Sequence, residues 1–311
     1  MLKRILIIAT VLSVSVLTAC NALPSVTENI DHNASELSWN DASDSSNSSN
    51  SPNSPEYSES SNSPDILESV EPDRSGSVAT SNLDLIQAGP AQPGDTIVTL
   101  HTNMGDISIR LFPEEAPMAY ENFVTHALNG YYDGTIFHRI IENFMIQGGD
   151  PDGTGMGGDS IWGHGFGPEF SPYLRHFRGA LAMAQSALPN SIGSQFYIVQ
   201  NNWLDDHFRV EFELLRNYQD EMLGIDHLGQ EIFVRDVFPL DMIEAYIRYG
   251  GTPHLDLAIS ETGHTVFGQV VVGMDVVDAI AALEVDGMSR PTANDVVIES
   301  VTVVGTDITI E

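Results

Sequence analysis

From about Pro93 onward, much of the sequence is cut into short apolar runs, each closed off by turn-forming residues. That punctuation limits the fold more than any other feature. Thr96-Ile97-Val98-Thr99-Leu100 and Ile107-Ser108-Ile109-Arg110-Leu111 alternate, with Asn103-Met104-Gly105-Asp106 between them, which predicts two strands joined by a tight turn. Further strands are predicted over 137–141, 145–148, 180–184, 195–199, 265–271 and 296–304. Helical spacing is found after Pro117, where Phe123, Val124, Ala127 and Leu128 share a face and Gly130 follows, and again from Met274 to Leu283. Many short strands with two helices predict an all-β domain, a barrel or a sandwich. Residues 201–250 break the rhythm. Phe208, Phe212, Leu215 and Met222, then Met242, Ile243, Tyr246 and Ile247 with Gly250 as a cap, predict a helical insertion.

The residues before this domain are of two other kinds. Lys3 and Arg4, an apolar run from Ile5 to Leu17 and small residues after it form a secretory signal over 1–19, too short to span a bilayer of roughly 20 apolar residues. The Leu17-Thr18-Ala19-Cys20 ending resembles the lipobox of bacterial lipoproteins, which implies lipidation of Cys20 and an extracytoplasmic, membrane-anchored protein. Cys20 is the single cysteine, so no disulfide is expected. Between residues 41 and 64 eleven of twenty-four are Ser, a composition unable to bury enough apolar surface to order itself. Residues 20–90 are therefore expected to be an acidic, disordered tether, and 91–311 the folded domain.

Charge removes further classes. Without Lys3 and Arg4 the chain has ten arginines against 44 acidic residues, about −34, which argues against nucleic acid and anionic lipid as partners. Gly153-Thr154-Gly155-Met156-Gly157-Gly158 fits GxGxxG but is not followed by a helix pattern, so it is no nucleotide site. The histidines form no HxxxH or HxH pair, and Asp150 and Asp152 lack the rest of a calcium loop, so neither metal nor cofactor is expected. Gly193-Ser194-Gln195-Phe196 is not a nucleophile elbow.

What remains is Phe137 to Asp150, in which one fixed cation, Arg139, stands between apolar runs and is followed by Phe144, Met145, Gln147 and two glycines. A guanidinium there is either ion-paired, for instance with Glu142 or Asp133, or directed at a ligand. This stretch, with Tyr132 to Phe137, Gly179 to Ala184, Ser194 to Ile198 and His264 to Val270, resembles the cyclophilins, a family of peptidyl-prolyl cis/trans isomerases. The resemblance covers most of 93–305 apart from the insertion. It implies a closed eight-stranded antiparallel barrel capped by two helices, an isomerase that assists exported proteins, and X-Pro segments as substrates. By motif, Arg139 matches the catalytic arginine, Phe144, Met145 and Tyr197 the proline pocket (commonly Phe at the last), and Gln147, Ala184, Gln195 and His264 the groove. Gln185 stands where many members have Asn. For the family's Trp-Leu-Asp, both Trp203-Leu204-Asp205 and His254-Leu255-Asp256 align. The second is favoured because Gly251-Thr252-Pro253 and His264 continue the barrel, which places Leu255 in the pocket and His254 in place of Trp, with weak cyclosporin binding as the consequence. The insertion would then be a two-helix cap or a wall that selects clients. A chaperone or binding lipoprotein with little isomerase activity is the alternative reading.

Overall fold

The computed structural model describes residues 86–309 except 205, 226–228 and 257–262. The expected signal, Cys20 and nearly all of the expected tether lie outside the described residues.

Eight strands form one antiparallel sheet: β1 (Ile97–Thr102), β2 (Gly105–Leu111), β3 (Arg139–Ile141), β4 (Met145–Gly148), β5 (Ala180–Met183), β6 (Phe196–Val199), β9 (Val266–Val272) and β10 (Ile298–Val304). Their order across the sheet is β10-β1-β2-β9-β5-β6-β4-β3. Period-two alternation sends Val98, Leu100, Ile107, Ile109, Ile146, Leu181, Phe196 and Ile198 to the concave side, where they are buried in one core. Helix α1 (Pro117–Leu128) and helix α5 (Met274–Ala281) contribute Phe123, Val124, Val277 and Ile280 to that core. Pro117, with no N–H to satisfy, opens α1, and the Glu169 carboxylate accepts from the N–H groups of Met118 (3.1 Å) and Ala119 (2.9 Å).

The closed barrel is found only in a coarser form, a curled half-barrel sheet. Strands β3 and β10 are its edges and do not pair as strands. They approach through the isolated bridge Ile136–Val297 and through Phe137 N–H donating to Val296 O (2.9 Å). Gly134 N–H also donates to Ile298 O (2.8 Å) and Ile298 N–H to Thr135 O (2.9 Å), but these bonds lie before β3, which is only three residues long.

The insertion is not purely helical. Helix α2 (Asp206–Asn217) is followed by a hairpin of β7 (Met222–Ile225) and β8 (Glu231–Phe233), then α3 (Val234–Val237) and α4 (Leu240–Tyr249). Met222, expected on the first helix, lies on β7. Helix α2 ends at Asn217, and just beyond it Gln219 Nε2 donates to Leu215 O (2.9 Å) and to Phe238 O (3.0 Å). Phe212, Leu215, Met242, Ile243 and Tyr246 pack with Phe177 and Leu204 in a second core. At the return to the sheet Gly251 is essential: a Cβ there, at φ 134°, would lie 2.3 Å from His176 O.

Candidate active site

The same alternation that fills the core places a row of side chains on the outer face. Arg139 on β3 is in register with Gln147 on β4, Gln147 with Tyr197 on β6, and Tyr197 with Ala182 on β5. Arg139 Nη1 donates to Gln147 Oε1 (3.2 Å), Gln147 Nε2 to Gln195 Oε1 (2.9 Å), and Gln195 Nε2 to Gly157 O (2.7 Å). Gly157 belongs to the glycine-rich loop, which is wound around one buried carboxylate. Asp150 accepts from the N–H groups of Asp152, Thr154, Gly155 and Gly157 and from the Thr154 hydroxyl. Burial alone would raise the Asp150 pKa, but these donors outweigh it and hold it below its ordinary value.

Arg139 is half-buried, and burial lowers its pKa. No described carboxylate lies within ion-pair distance of it. Asp133 instead accepts from Val301 N–H (3.2 Å), and Glu142 is exposed. Beside the guanidinium the outward-facing Met145 and Tyr197 form the floor of an apolar patch with Phe144, Ala184, Leu255 and Val266. Phe144 is presented by a turn in which Asn143 adopts φ 60°, with its N–H donating to Gln200 Oε1 (2.8 Å). Leu255, on a short 3-10 turn (Pro253–Leu255), packs against the same apolar patch as Phe144, whereas Leu204 is buried with Phe177 and Phe212 in the insertion core. Trp203 is 46% exposed. His254 stacks on Phe144, with ring centroids 5.7 Å apart.

His264 closes one side. Burial, helped by neighbouring His176, lowers its pKa to about 4, against the raising effect of Met183 O, which lies 3.3 Å from Nδ1. The ring is neutral at pH 7, so Nδ1–H donates to that carbonyl and an edge faces Tyr197 (5.6 Å). Ala184 N–H donates to Gln195 O (2.9 Å), and Gln185 Nε2 to Gly263 O (2.7 Å), so both border the groove without entering the Arg139 string. Sequence reasoning gives no site role to His176, Asp256, Tyr246 or Phe208, which lie beneath or beside the patch. Asp256 reads only as the end of His254-Leu255-Asp256, Phe208 and Tyr246 only as helix positions, and His176 belongs to no local motif. The arrangement suits binding a compact apolar ring with one fixed hydrogen-bond donor beside it.

The family model described as "Cyclophilin type peptidyl-prolyl cis-trans isomerase/CLD" matches residues 97–217 and 241–303. Over 212 residues the chain is 45% identical to a Staphylococcus aureus (strain USA300) protein named "Putative peptidyl-prolyl cis-trans isomerase", covering 68% of this chain and 93% of that one. A Staphylococcus epidermidis protein of the same name is 43% identical over the same length. A Cryptosporidium parvum cyclophilin structure, solved in the presence of the dipeptide Ala-Pro, is 28% identical with a TM-score of 0.47, covering 67% of this chain and 98% of that one.

Proposed function

Because the chain belongs to the family of cyclophilin-type peptidyl-prolyl cis-trans isomerases, we propose that it rotates X-Pro bonds in exported polypeptides outside the cytoplasmic membrane. Amide resonance sets a barrier of about 18–20 kcal/mol, and an unaided X-Pro bond crosses it in tens to hundreds of seconds. When the bond twists, resonance is lost and the prolyl nitrogen regains a lone pair. A donor aimed at that atom binds the twisted state better than either planar one, and that difference is the acceleration. Arg139 is the donor. Phe144, Met145, Tyr197 and Leu255 hold the ring while the preceding carbonyl swings, and Gln147 and Gln195 hold the substrate backbone. The reading needs no nucleophile, metal or cofactor.

The observation that carries it is Arg139 itself, a half-buried cation beside an apolar patch with no described carboxylate partner. A structural arginine in that position would be expected to have one. The Cys20 motif supports a lipid anchor, and prolyl isomerisation limits folding in exported chains as elsewhere. His254 in place of the family's Trp implies weak cyclosporin binding. The test is turnover of a short X-Pro peptide by the chain and by Arg139→Ala. Equal rates would dismiss the enzymatic mechanism.

A further inference from the structure

The insertion reaches the pocket by two routes. On α4 the Tyr246 hydroxyl donates to Asp256 Oδ2. The other oxygen, Oδ1, accepts from the His176 backbone N–H (2.9 Å) and from His176 Nδ1 (2.7 Å). A carboxylate only accepts, so Nδ1 bears a hydrogen, and on the other side of the ring Nε2 lies 2.9 Å from the Tyr197 hydroxyl, within hydrogen-bond distance. Tyr246 (0% exposed), His176 (1%) and Tyr197 (4%) are all buried, and Arg175 Nε stands 3.8 Å from Asp256 Oδ2 to balance its charge. Burial, reinforced by Asp256, raises the pKa of both phenols, so each keeps its proton. Along the second route Phe208 of α2 stacks on His254 (6.0 Å, 16°), which stacks in turn on Phe144 (5.7 Å, 25°).

The hydroxyl of Tyr197 has no part in holding an apolar ring, and the pocket would accept Phe there. A buried hydroxyl is retained at low cost only if bonded. Here it is bonded to a string that ends on the insertion, and the string passes through the residue adjoining Leu255. Both the pocket floor and its far wall are therefore tied to α4.

Building on the isomerase reading above, we infer that Tyr246 and Asp256 are positioning residues for the proline pocket, so that the insertion is a working part of the active site. They act through His176 on Tyr197 and through the 253–256 turn on Leu255. Loosening the string widens the pocket in the planar and twisted states of the substrate alike, so the loss falls mainly on KM.

A double-mutant cycle on the full chain tests this, with Tyr246→Phe, Tyr197→Phe and both together. Tyr246→Phe keeps its ring against Phe177 (4.6 Å) and Phe212 (5.6 Å) and removes one oxygen. Each single change should lower kcat/KM for an X-Pro peptide roughly three- to tenfold, the range for one supporting hydrogen bond. The double variant should be no worse than the poorer single. Asp256→Asn, which keeps an acceptor for His176, should fall between wild type and Asp256→Ala. Wild-type kcat/KM in Tyr246→Phe, losses that multiply in the double variant, or a loss confined to kcat would each overturn the inference. If the wild-type chain does not turn over the peptide, the isomerase reading fails on its own. The positioning is then read from the Leu255 methyl resonances: a shift in Tyr246→Phe supports it, and unmoved signals overturn it.

Discussion

Replacing Arg139 by alanine separates the work of the site from the work of the fold, because the structure predicts opposite sizes for the two effects. On the folding side, the change removes one charge-assisted hydrogen bond to Gln147, worth about 1.5–3 kcal/mol, and relieves the desolvation of a half-buried guanidinium, which is of similar size and opposite sign. Gln147 remains held by Gln195 at 2.9 Å, so the groove keeps its shape. Net stability should stay within about 1 kcal/mol of wild type in urea unfolding. On the chemical side, in the proposed mechanism the lost donor acts only on the twisted bond. Removing one such preorganised donor costs about 10²–10³ in kcat, equivalent to about 2.7–4 kcal/mol. KM should hardly move, because Phe144, Met145, Tyr197 and Leu255 are untouched. Arg139→Lys keeps the charge but loses the rigid fork, and belongs between the two. Single-turnover exchange of an X-Pro peptide followed by NMR, alongside urea unfolding of the same samples, reads both quantities. A stability loss of about 3–5 kcal/mol, as when a buried ion pair is broken, with kcat within threefold of wild type would refute the reasoning.

Asp150→Asn should unwind the glycine-rich loop, because an amide cannot accept from five donors. Lower kcat/KM is expected as Gly157 O no longer fixes Gln195, with a loss of about 2 kcal/mol in urea unfolding. The folded state holds this carboxylate below its ordinary pKa, so its contribution is present above about pH 4 and is lost as pH falls through the folded value. His264 has the matching acid-side signature. Its pKa of about 4 lies below the ordinary 6.5, so between these the unfolded chain binds more protons and stability rises with pH. Unfolding measured from pH 4 to 7 should show that slope, shallower in His264→Gln, and an unchanged slope would contradict it. Cys20→Ala should move the protein from the membrane to the soluble fraction of its host, and retention on the membrane would remove the lipid anchor.

The strands were legible because turn residues bracket them and because alternation on both sides of Tyr197 and Gln147 shows which face is apolar. The half-barrel edge was not, since nothing local in Thr135 to Ile141 says how far a ladder can extend. The hairpin of β7 and β8 was hidden by a coincidence. Met222 continues the helical spacing from Phe208, although the helix ends at Asn217, where Gln219 donates to Leu215 O and Phe238 O. Leu204 and Leu255 occupy equivalent Xaa-Leu-Asp triplets, and their difference is tertiary: one is buried in the insertion core with Phe212, the other packs against the patch that holds Phe144. The Tyr197–His176–Asp256–Tyr246 string joins residues far apart in the chain, and no pattern of spacing could have announced it.

The register of Arg139 with Gln147 and of Gln147 with Tyr197 has a genetic consequence. Substitutions in the groove should be graded, since each side chain contributes its own part. An in-frame codon gained or lost between Ile141 and Met145 is a different kind of lesion. It would turn β4 over, sending Ile146 to water and Gln147 into the core, so that catalytic face and hydrophobic interior change places together. Short as the turn at Asn143 is, its length therefore matters to the site as much as any side chain in the pocket.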